Sequence, residues 1–226
     1  MIIGVSGLAG SGKSEVARYL VQHHGFVEVA LADPIKRAAM EWFDFSETQL
    51  WGPSEERNKP DQRYLQTVVN ARHMLSEEGL KKFPDGQVPQ YLSPRAALQF
   101  LGTEVGRELY QDVWINKAIQ TAVMLFQGGW SYESTRGITR AAVSRPVGVV
   151  ISDVRFVNEV RALRVNGAVI WKIRRPQAGL AGQAGQHASE MEQDSIPEDL
   201  FTSTIDNQGS LDDLRKRVRD LLGSYA

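Results

Sequence analysis

The sequence predicts a doubly wound α/β fold, in which helices cover both faces of a parallel sheet. Three observations predict it: a short apolar run at residues 2–5 that leads through a glycine-rich loop into a helix, a continuous apolar run at residues 147–153, and alternating strand and helix patterns. An uninterrupted apolar run is typical of a parallel strand that is buried on both faces. Alternating strands and helices favour a parallel sheet over an antiparallel one.

The other elements can be placed in chain order. Residues 26–33, 168–173 and 201–207 are predicted as strands, and residues 158–167 as a helix that Gly167 stops. The last helix is expected to begin at Ser210, which forms a capping-box-like pair with Asp213. Its buried face is expected to contain Leu211, Leu214, Val218, Leu221 and Leu222. Sites in such sheets lie beyond the carboxyl ends of the strands.

The composition is that of a globular protein and excludes several classes. The 226 residues suit a single domain, with 42% apolar and 23% charged residues. A net charge of −1 provides no basic field for nucleic acid or an anionic membrane. The absence of cysteine excludes disulfides and thiolate sites, and no apolar run reaches the ~18 residues of a membrane span. We therefore expect a cytoplasmic protein.

Residues 7–14, GLAGSGKS, match the complete motif G-x-x-x-x-G-K-[ST] between a strand and a helix. Such a loop, a P-loop, turns backbone N–H groups toward phosphate oxygens, and the helix N-terminus adds positive charge. Lys13 is expected to reach the β- and γ-phosphates, and Ser14 to ligate Mg²⁺. The sequence thus predicts ATP and Mg²⁺ as cofactors. The cofactor-binding residues of this loop are Gly7, Ala9, Gly10, Ser11, Gly12, Lys13, Ser14 and Glu15.

Charged residues follow two of the predicted strands. Asp33, in ADPIKRA, is either the cap of a helix with Pro34 at its first position or a functional acid beside the P-loop. Asp153, in SDVRFVNE, is expected to order a magnesium-bound water, and Arg155 to clamp a phosphate. The alternative for Asp153 and Arg155 is a surface ion pair at a strand end.

Arg174 and Arg175 stand at the end of a third strand, before a segment rich in Gly, Ala and Gln. One interpretation is a lid, at about residues 174–192, that brings both arginines to a transferring phosphoryl group. The other is a disordered surface loop. His187 within this segment receives no catalytic role.

Residues 93–109, SPRAALQFLGTEVGREL, predict a helix with two stripes. The apolar stripe is expected to face a core and contains Leu98, Leu101, Val105 and Leu109. The polar stripe recurs every four residues and contains Arg95, Gln99, Thr103 and Arg107. A solvated face usually mixes Glu and Lys, so this stripe is a candidate binding surface, with a solvated face as the alternative.

Residues 58–61, NKPD, spell the guanine-reading N-K-x-D motif of GTPases. In a GTPase this motif ends a buried strand late in the domain. Here no apolar strand precedes it, and it comes before the other candidate strands. A GTPase is therefore not expected.

Taken together, these motifs resemble the deoxynucleoside monophosphate kinases of bacteriophages. The order of GLAGSGKS, ADPIKRA, the 93–109 helix, DVW, SDVRFVNE, HASE and IDNQGSLDDL agrees over nearly the whole chain, apart from residues 51–88 and 128–145. The narrow signal is P-R-x-x-L-Q-x-L-G-T-E-x-G-R. Dephospho-coenzyme A kinases share the P-loop and a D-N-x-G-S ending, and phosphomevalonate kinases share S-D-x-R. Neither carries that helix.

The resemblance implies transfer of the γ-phosphate of ATP to a deoxynucleoside 5′-monophosphate (dNMP) within one domain, residues 1–226. A helical insertion at about 34–127 would bind the acceptor through Lys36, Arg37, Arg95, Gln99, Thr103, Arg107, Trp114 and Arg155. Asn207 and Gly209 would lie near the adenine. The catalytic set would be Lys13, Asp33, Arg155, Arg174 and Arg175. Other outcomes are a kinase of another phosphorylated metabolite or an ATP-dependent switch. A homodimer without nucleic-acid partners, in the host cytoplasm, is expected.

Overall fold

The structure is a computed structural model that describes residues 1–72, 75–83, 85–176, 178, 192–193 and 195–225. The chain divides into two compact units. The first unit comprises Met1–Pro34 and Gly106–Ala226, and the second comprises Ile35–Val105. Among the described residues, no helix is both long and apolar enough to cross a lipid bilayer.

The strands and helices are numbered here in chain order. The strands are β1 (Ile2–Ser6), β2 (Phe26–Glu28), β3 (Leu65–Asn70), β4 (Gln87–Tyr91), β5 (Trp130–Glu133), β6 (Gly137–Arg140), β7 (Gly148–Val154), β8 (Val169–Arg174) and β9 (Ser203–Asp206). The α-helices are α1 (Lys13–His24), α2 (Asp33–Phe43), α3 (Glu47–Trp51), α4 (Ser54–Asn58), α5 (Glu77–Lys82), α6 (Pro94–Gln99), α7 (Val113–Gln127), α8 (Val157–Val165) and α9 (Leu211–Gly223). A π-helix spans Phe100–Arg107, and a 3₁₀ turn spans Glu198–Leu200.

A parallel sheet forms the centre of the first unit. Its order within the described residues is β2–β7–β1–β8–β9, and every neighbouring pair is parallel. The predicted strand at residues 26–33 is wrong in extent, because β2 ends at Glu28. The chain leaves the sheet after Val29, since the N–H groups of Leu31 and Ala32 donate to Asp153 instead of to a strand.

Alternate side chains of β1 reach opposite faces of this sheet. Ile2 packs in a cluster with side chains of α7 and α8, whereas Ile3 and Val5 pack with side chains of α1 and α9. Because the pleat sends successive residues to opposite faces, one central strand anchors both layers. Helices therefore cover both faces, and the predicted doubly wound α/β fold is confirmed.

The last helix begins where the capping pattern predicts. The Ser210 hydroxyl accepts the N–H of Asp213 at 3.2 Å, and the Asp213 carboxylate accepts the N–H of Ser210 at 2.9 Å. Leu214 and Val218 are buried as predicted, whereas Leu211 is 44% exposed and was assigned wrongly to the buried face. Leu211 is the first residue of α9, one turn before the face that meets the sheet.

The stretch at residues 128–145, which the sequence left unassigned, contains a hairpin in the first unit. Strands β5 and β6 pair antiparallel, with Tyr132 opposite Ile138. Trp130, Tyr132 and Ile138 pack against the cluster formed with α7 and α8. The guanidinium of Arg140 lies 4.5 Å from the centre of the Trp130 ring. The hairpin is therefore attached to the core of the first unit.

The second unit has a small core of its own. It contains the buried residues Ala39, Phe45, Leu50 and Ala97. The N-K-x-D segment lies in this unit, where Asn58 ends α4 and Asp61 pairs with Arg63 at 2.7 Å. The guanidinium of Arg63 holds the pKa of Asp61 well below its usual range. Among the described residues, helices α3 and α4 precede this segment and no strand leads into it.

The 93–109 helix changes its winding part of the way along. Ser93 caps α6 by accepting the N–H of Ala96 at 3.2 Å, and π-turns begin at Phe100. Leu98 and Leu101 pack on the core of the second unit as predicted. Val105 and Leu109 are 36% and 83% exposed, so their assignment to the apolar stripe was wrong. The wider i→i+5 turns displace later residues from the 3.6-residue spacing.

Candidate functional site

Two glycines of the P-loop, Gly7 and Gly12, combine a positive φ with a lack of room for a Cβ atom. Gly7 has φ +144° and Gly12 has φ +110°. A Cβ atom at Gly7 would lie 2.3 Å from the carbonyl oxygen of Ile173, and one at Gly12 would lie 2.5 Å from Nδ2 of Asn207. Both positions therefore exclude side chains, and the loop wraps closely between β1 and the start of α1.

The polar side chains of this loop suit a phosphate chain. The Lys13 ammonium donates to the carbonyls of Gly7 and Leu8, the latter at 2.8 Å. The Ser11 hydroxyl is 1% exposed and has no hydrogen-bond partner among the described residues. A buried hydroxyl without a partner costs free energy, so an added acceptor such as a phosphate oxygen would be stabilised there. Ser14 is exposed in the first turn of α1.

Asn207, at the carboxyl end of β9, braces the P-loop. Its Nδ2 donates to the carbonyl of Ser11 at 2.8 Å, and its backbone N–H donates to the backbone carbonyl of Arg174 at 2.7 Å. The residue is only 8% exposed. Gly209, also predicted at the adenine, lies exposed in the loop before α9.

Asp153 fixes the loop that precedes α2. Its two carboxylate oxygens accept the N–H groups of Leu31 at 2.7 Å and Ala32 at 3.0 Å. Burial raises the pKa of Asp153. The described residues contain no group of three or more acidic or histidine side chains placed to hold a metal. Ser14 and Asp153 have oxygen donors of the kind that Mg²⁺ prefers, and Mg²⁺ takes most of its other ligands from phosphates and water.

Asp33 is the first residue of α2 and is 1% exposed. The phenol of Tyr132 donates to its Oδ2 at 2.9 Å. The sequence provided no signal for this contact, because Tyr132 lies in the segment that had no assignment.

The buried carboxylate of Glu159 contacts the backbone of Arg155 and the guanidinium of Arg107. Glu159 accepts the backbone N–H groups of Arg155 at 2.8 Å and Phe156 at 3.1 Å, and lies 3.4 Å from the Arg107 guanidinium. Burial raises the pKa of Glu159 to about 7. Arg107 also donates to Asn158 at 3.1 Å and lies 3.5 Å from the centre of the Phe156 ring. Glu159 received no role from the sequence alone, although a glutamate at the third position of a helix is typical of a capping box.

Arg174 and Arg175 follow each other at the carboxyl end of β8. Arg174 pairs with Asp206 of β9 at 2.7 Å, and this guanidinium lowers the pKa of Asp206. Both arginines are exposed. Most of the predicted lid, namely residues 177 and 179–191, lies outside the described residues.

Trp114 lines a cavity of about 520 Å³ in the first unit. This volume is within the usual range for small-molecule sites. Its lining comes from the start of α2 and from α7 with the preceding turn, and consists of Pro34, Tyr110, Val113, Trp114, Asn116, Lys117 and Gln120.

Five of the predicted acceptor residues belong to the second unit: Lys36, Arg37, Arg95, Gln99 and Thr103. The Lys36 ammonium lies 5.4 Å from the centre of the Trp51 ring, and Arg95 donates to Asn58. All five are half-buried. Arg107, the fourth member of the polar stripe, belongs to the first unit.

Comparison with known proteins gives two named relatives, while no family model matches. A protein of Acanthamoeba polyphaga mimivirus named deoxynucleotide monophosphate kinase is 31% identical over 198 residues, which are 87% of this chain and 83% of that protein. The deoxynucleoside-5′-monophosphate kinase of Escherichia phage T5 is 24% identical over 73% of this chain and 72% of its own.

Among solved structures, TT1252 of Thermus thermophilus aligns with a TM-score of 0.42 and 17% identity, covering 100% of this chain and 98% of its own. Dephospho-CoA kinase of Campylobacter jejuni aligns with a TM-score of 0.44 and 15% identity, covering 99% and 96%. The sequence relationship to the mimivirus protein extends over most of both chains. The chain therefore belongs to the deoxynucleoside monophosphate kinase family.

Proposed function

We propose that the protein transfers the γ-phosphate of ATP to a deoxynucleoside 5′-monophosphate, which gives ADP and the diphosphate. One observation carries the proposal: the P-loop after β1 adjoins Arg155, which follows the neighbouring strand β7. An anionic acceptor needs a cationic side chain to hold its phosphate, and Arg155 would supply one. The named relatives support a dNMP as that acceptor.

The donor would bind along residues 7–15. Backbone N–H groups of the loop and the buried Ser11 hydroxyl would hold phosphate oxygens, and Lys13 would exchange its contacts with Gly7 and Leu8 for the β- and γ-phosphates. Ser14 would hold Mg²⁺, and Asp153 would orient a water of its shell. The metal, when bound, would neutralise negative charge on the β- and γ-phosphates of ATP.

The acceptor would be held by cationic side chains and an amide. Arg155 would clamp the phosphate of the acceptor. Trp114, in the cavity along α7, would contact the nucleoside part of the acceptor. Gln99 would read the base, because an amide both donates and accepts. The acceptor phosphate is already ionised near neutral pH, so no strong base is required. Asp33 would orient the acceptor or the water shell of the metal.

An acceptor panel tests the proposal directly. ADP release from ATP is measured with each dNMP, with dephospho-coenzyme A, with phosphomevalonate and without acceptor, and the phosphorylated product is identified by mass spectrometry. We expect turnover with at least one dNMP and product of the diphosphate mass. Lys13→Ala, the control variant, is expected to abolish it because the transition state loses a fixed positive charge.

Three results would contradict the proposal or a part of it. Turnover with only a non-nucleotide acceptor would identify a kinase of another metabolite. Slow hydrolysis that no acceptor stimulates would identify an ATP-dependent switch. A Lys13→Ala variant with kcat near that of the wild type would contradict the role of the loop itself. A cytoplasmic location and a homodimer without nucleic-acid partners stay part of the proposal.

A further inference from the structure

Tyr132 belongs to none of the sequence motifs, yet it contacts a residue of the candidate site. It belongs to β5, and the β5–β6 hairpin packs on the core cluster of the first unit. The aromatic body of Tyr132 is held in that cluster, so only its hydroxyl is available for a directed polar contact.

That hydroxyl points at Asp33. The distance from Tyr132 Oη to Asp33 Oδ2 is 2.9 Å, and Asp33 is 1% exposed. A hydrogen bond to a buried carboxylate is stronger than a neutral one and fixes the rotation of the carboxyl group. The backbone just before Asp33 is fixed independently, because Asp153 accepts the N–H groups of Leu31 and Ala32.

Two separate parts of the first unit therefore converge on one acid. The end of β7 holds the backbone that leads into α2, and the β5–β6 hairpin holds the carboxylate. From this we infer that Tyr132 is a positioning residue for phosphoryl transfer, which acts by holding the Asp33 carboxylate in one orientation. The inference rests on the proposed function.

The substitution Tyr132→Phe tests this inference, because it removes one oxygen and leaves the packed ring. We expect kcat to fall about tenfold or more, since small displacements of an active-site group are costly. The KM values for ATP and for the dNMP are expected to stay within about twofold. A purely structural role would instead lower Tm and the active fraction without this split. Tyr225→Phe is the matched control, because its hydroxyl lies 3.2 Å from Ser203 Oγ in the same unit.

A double-mutant cycle with Asp33→Asn identifies the route of action. If Tyr132 acts through Asp33, the double variant is expected to match Asp33→Asn in kcat within about twofold. Multiplicative losses would overturn the inference, as would a Tyr132→Phe variant with the kcat of the wild type or a loss explained by Tm. A wild type without dNMP turnover would overturn the proposed function and the inference together. Wild-type turnover with an unaffected Tyr132→Phe would overturn the inference alone.

Discussion

The buried carboxylate of Glu159 leads to a quantitative prediction about pH. Burial raises its pKa from the ordinary 4.5 to about 7, against the opposing effect of two backbone N–H donors and Arg107. The folded protein therefore binds this proton more tightly than the unfolded chain does. Because the folded pKa is the higher one, the stabilisation is complete below about pH 4.5 and is lost as pH rises through about 7.

Glu159→Gln isolates this effect, since glutamine keeps the shape and never ionises. One pKa unit corresponds to about 1.4 kcal/mol. The free energy of unfolding of the variant, relative to that of the wild type, is thus expected to rise by about 2–3 kcal/mol between pH 5 and pH 8. The change in this difference is the predicted quantity, because the lost contacts add an offset that does not depend on pH.

Urea denaturation at pH 5, 6, 7 and 8 measures the effect on both proteins. Glu108→Gln is the matched control, because Glu108 is an exposed glutamate of the same unit. The control should differ from the wild type by the same amount at every pH. A Glu159→Gln difference that is constant with pH, or that falls as pH rises, would refute the reasoning from burial.

Three further substitutions test the site. Gln99→Ala is expected to change the kcat/KM of one dNMP relative to another by about tenfold, because a lost amide contact costs ~1–3 kcal/mol. The ATP affinity, measured by equilibrium binding, is expected to stay the same. An unchanged ranking of the bases would contradict a role of Gln99 in base recognition. Arg107→Ala should raise the KM of every dNMP alike and lower Tm, because a buried carboxylate of α8 loses its guanidinium. A wild-type Tm would argue against that pairing. Asn207→Ala should weaken ATP binding more than dNMP binding, because the P-loop loses a buried donor at the Ser11 carbonyl; equal ATP affinity would show that the brace is dispensable.

Local chemistry explains what the sequence could predict. The P-loop and the Ser210 cap each depend on residues that are close together in the sequence, so the type and spacing of these residues are enough to predict both. Strand β7 could be predicted because its first four residues, 148–151, form an uninterrupted apolar run that is buried.

The contacts that complete the candidate site depend on tertiary structure. Tyr132 and Asp33 are 99 residues apart, and the β5–β6 hairpin that contains Tyr132 has no sequence motif. The polar stripe assumed uniform α-helical winding, which the π-turns after Phe100 do not follow. The roles of its side chains stay predictions until the substitutions are measured.

The brace between Asn207 and the P-loop has a consequence for folding. The two partners, Asn207 and Ser11, are 196 residues apart, and β1 lies between β7 and β8, both of which come much later in the chain. The phosphate-binding loop is thus synthesised before the strands that flank β1, and it is among the last motifs to gain its neighbours. High contact order of this kind slows folding. Nascent chains that lack β9 should therefore bind ATP poorly, and ATP added during refolding should stabilise only the product of the final docking step.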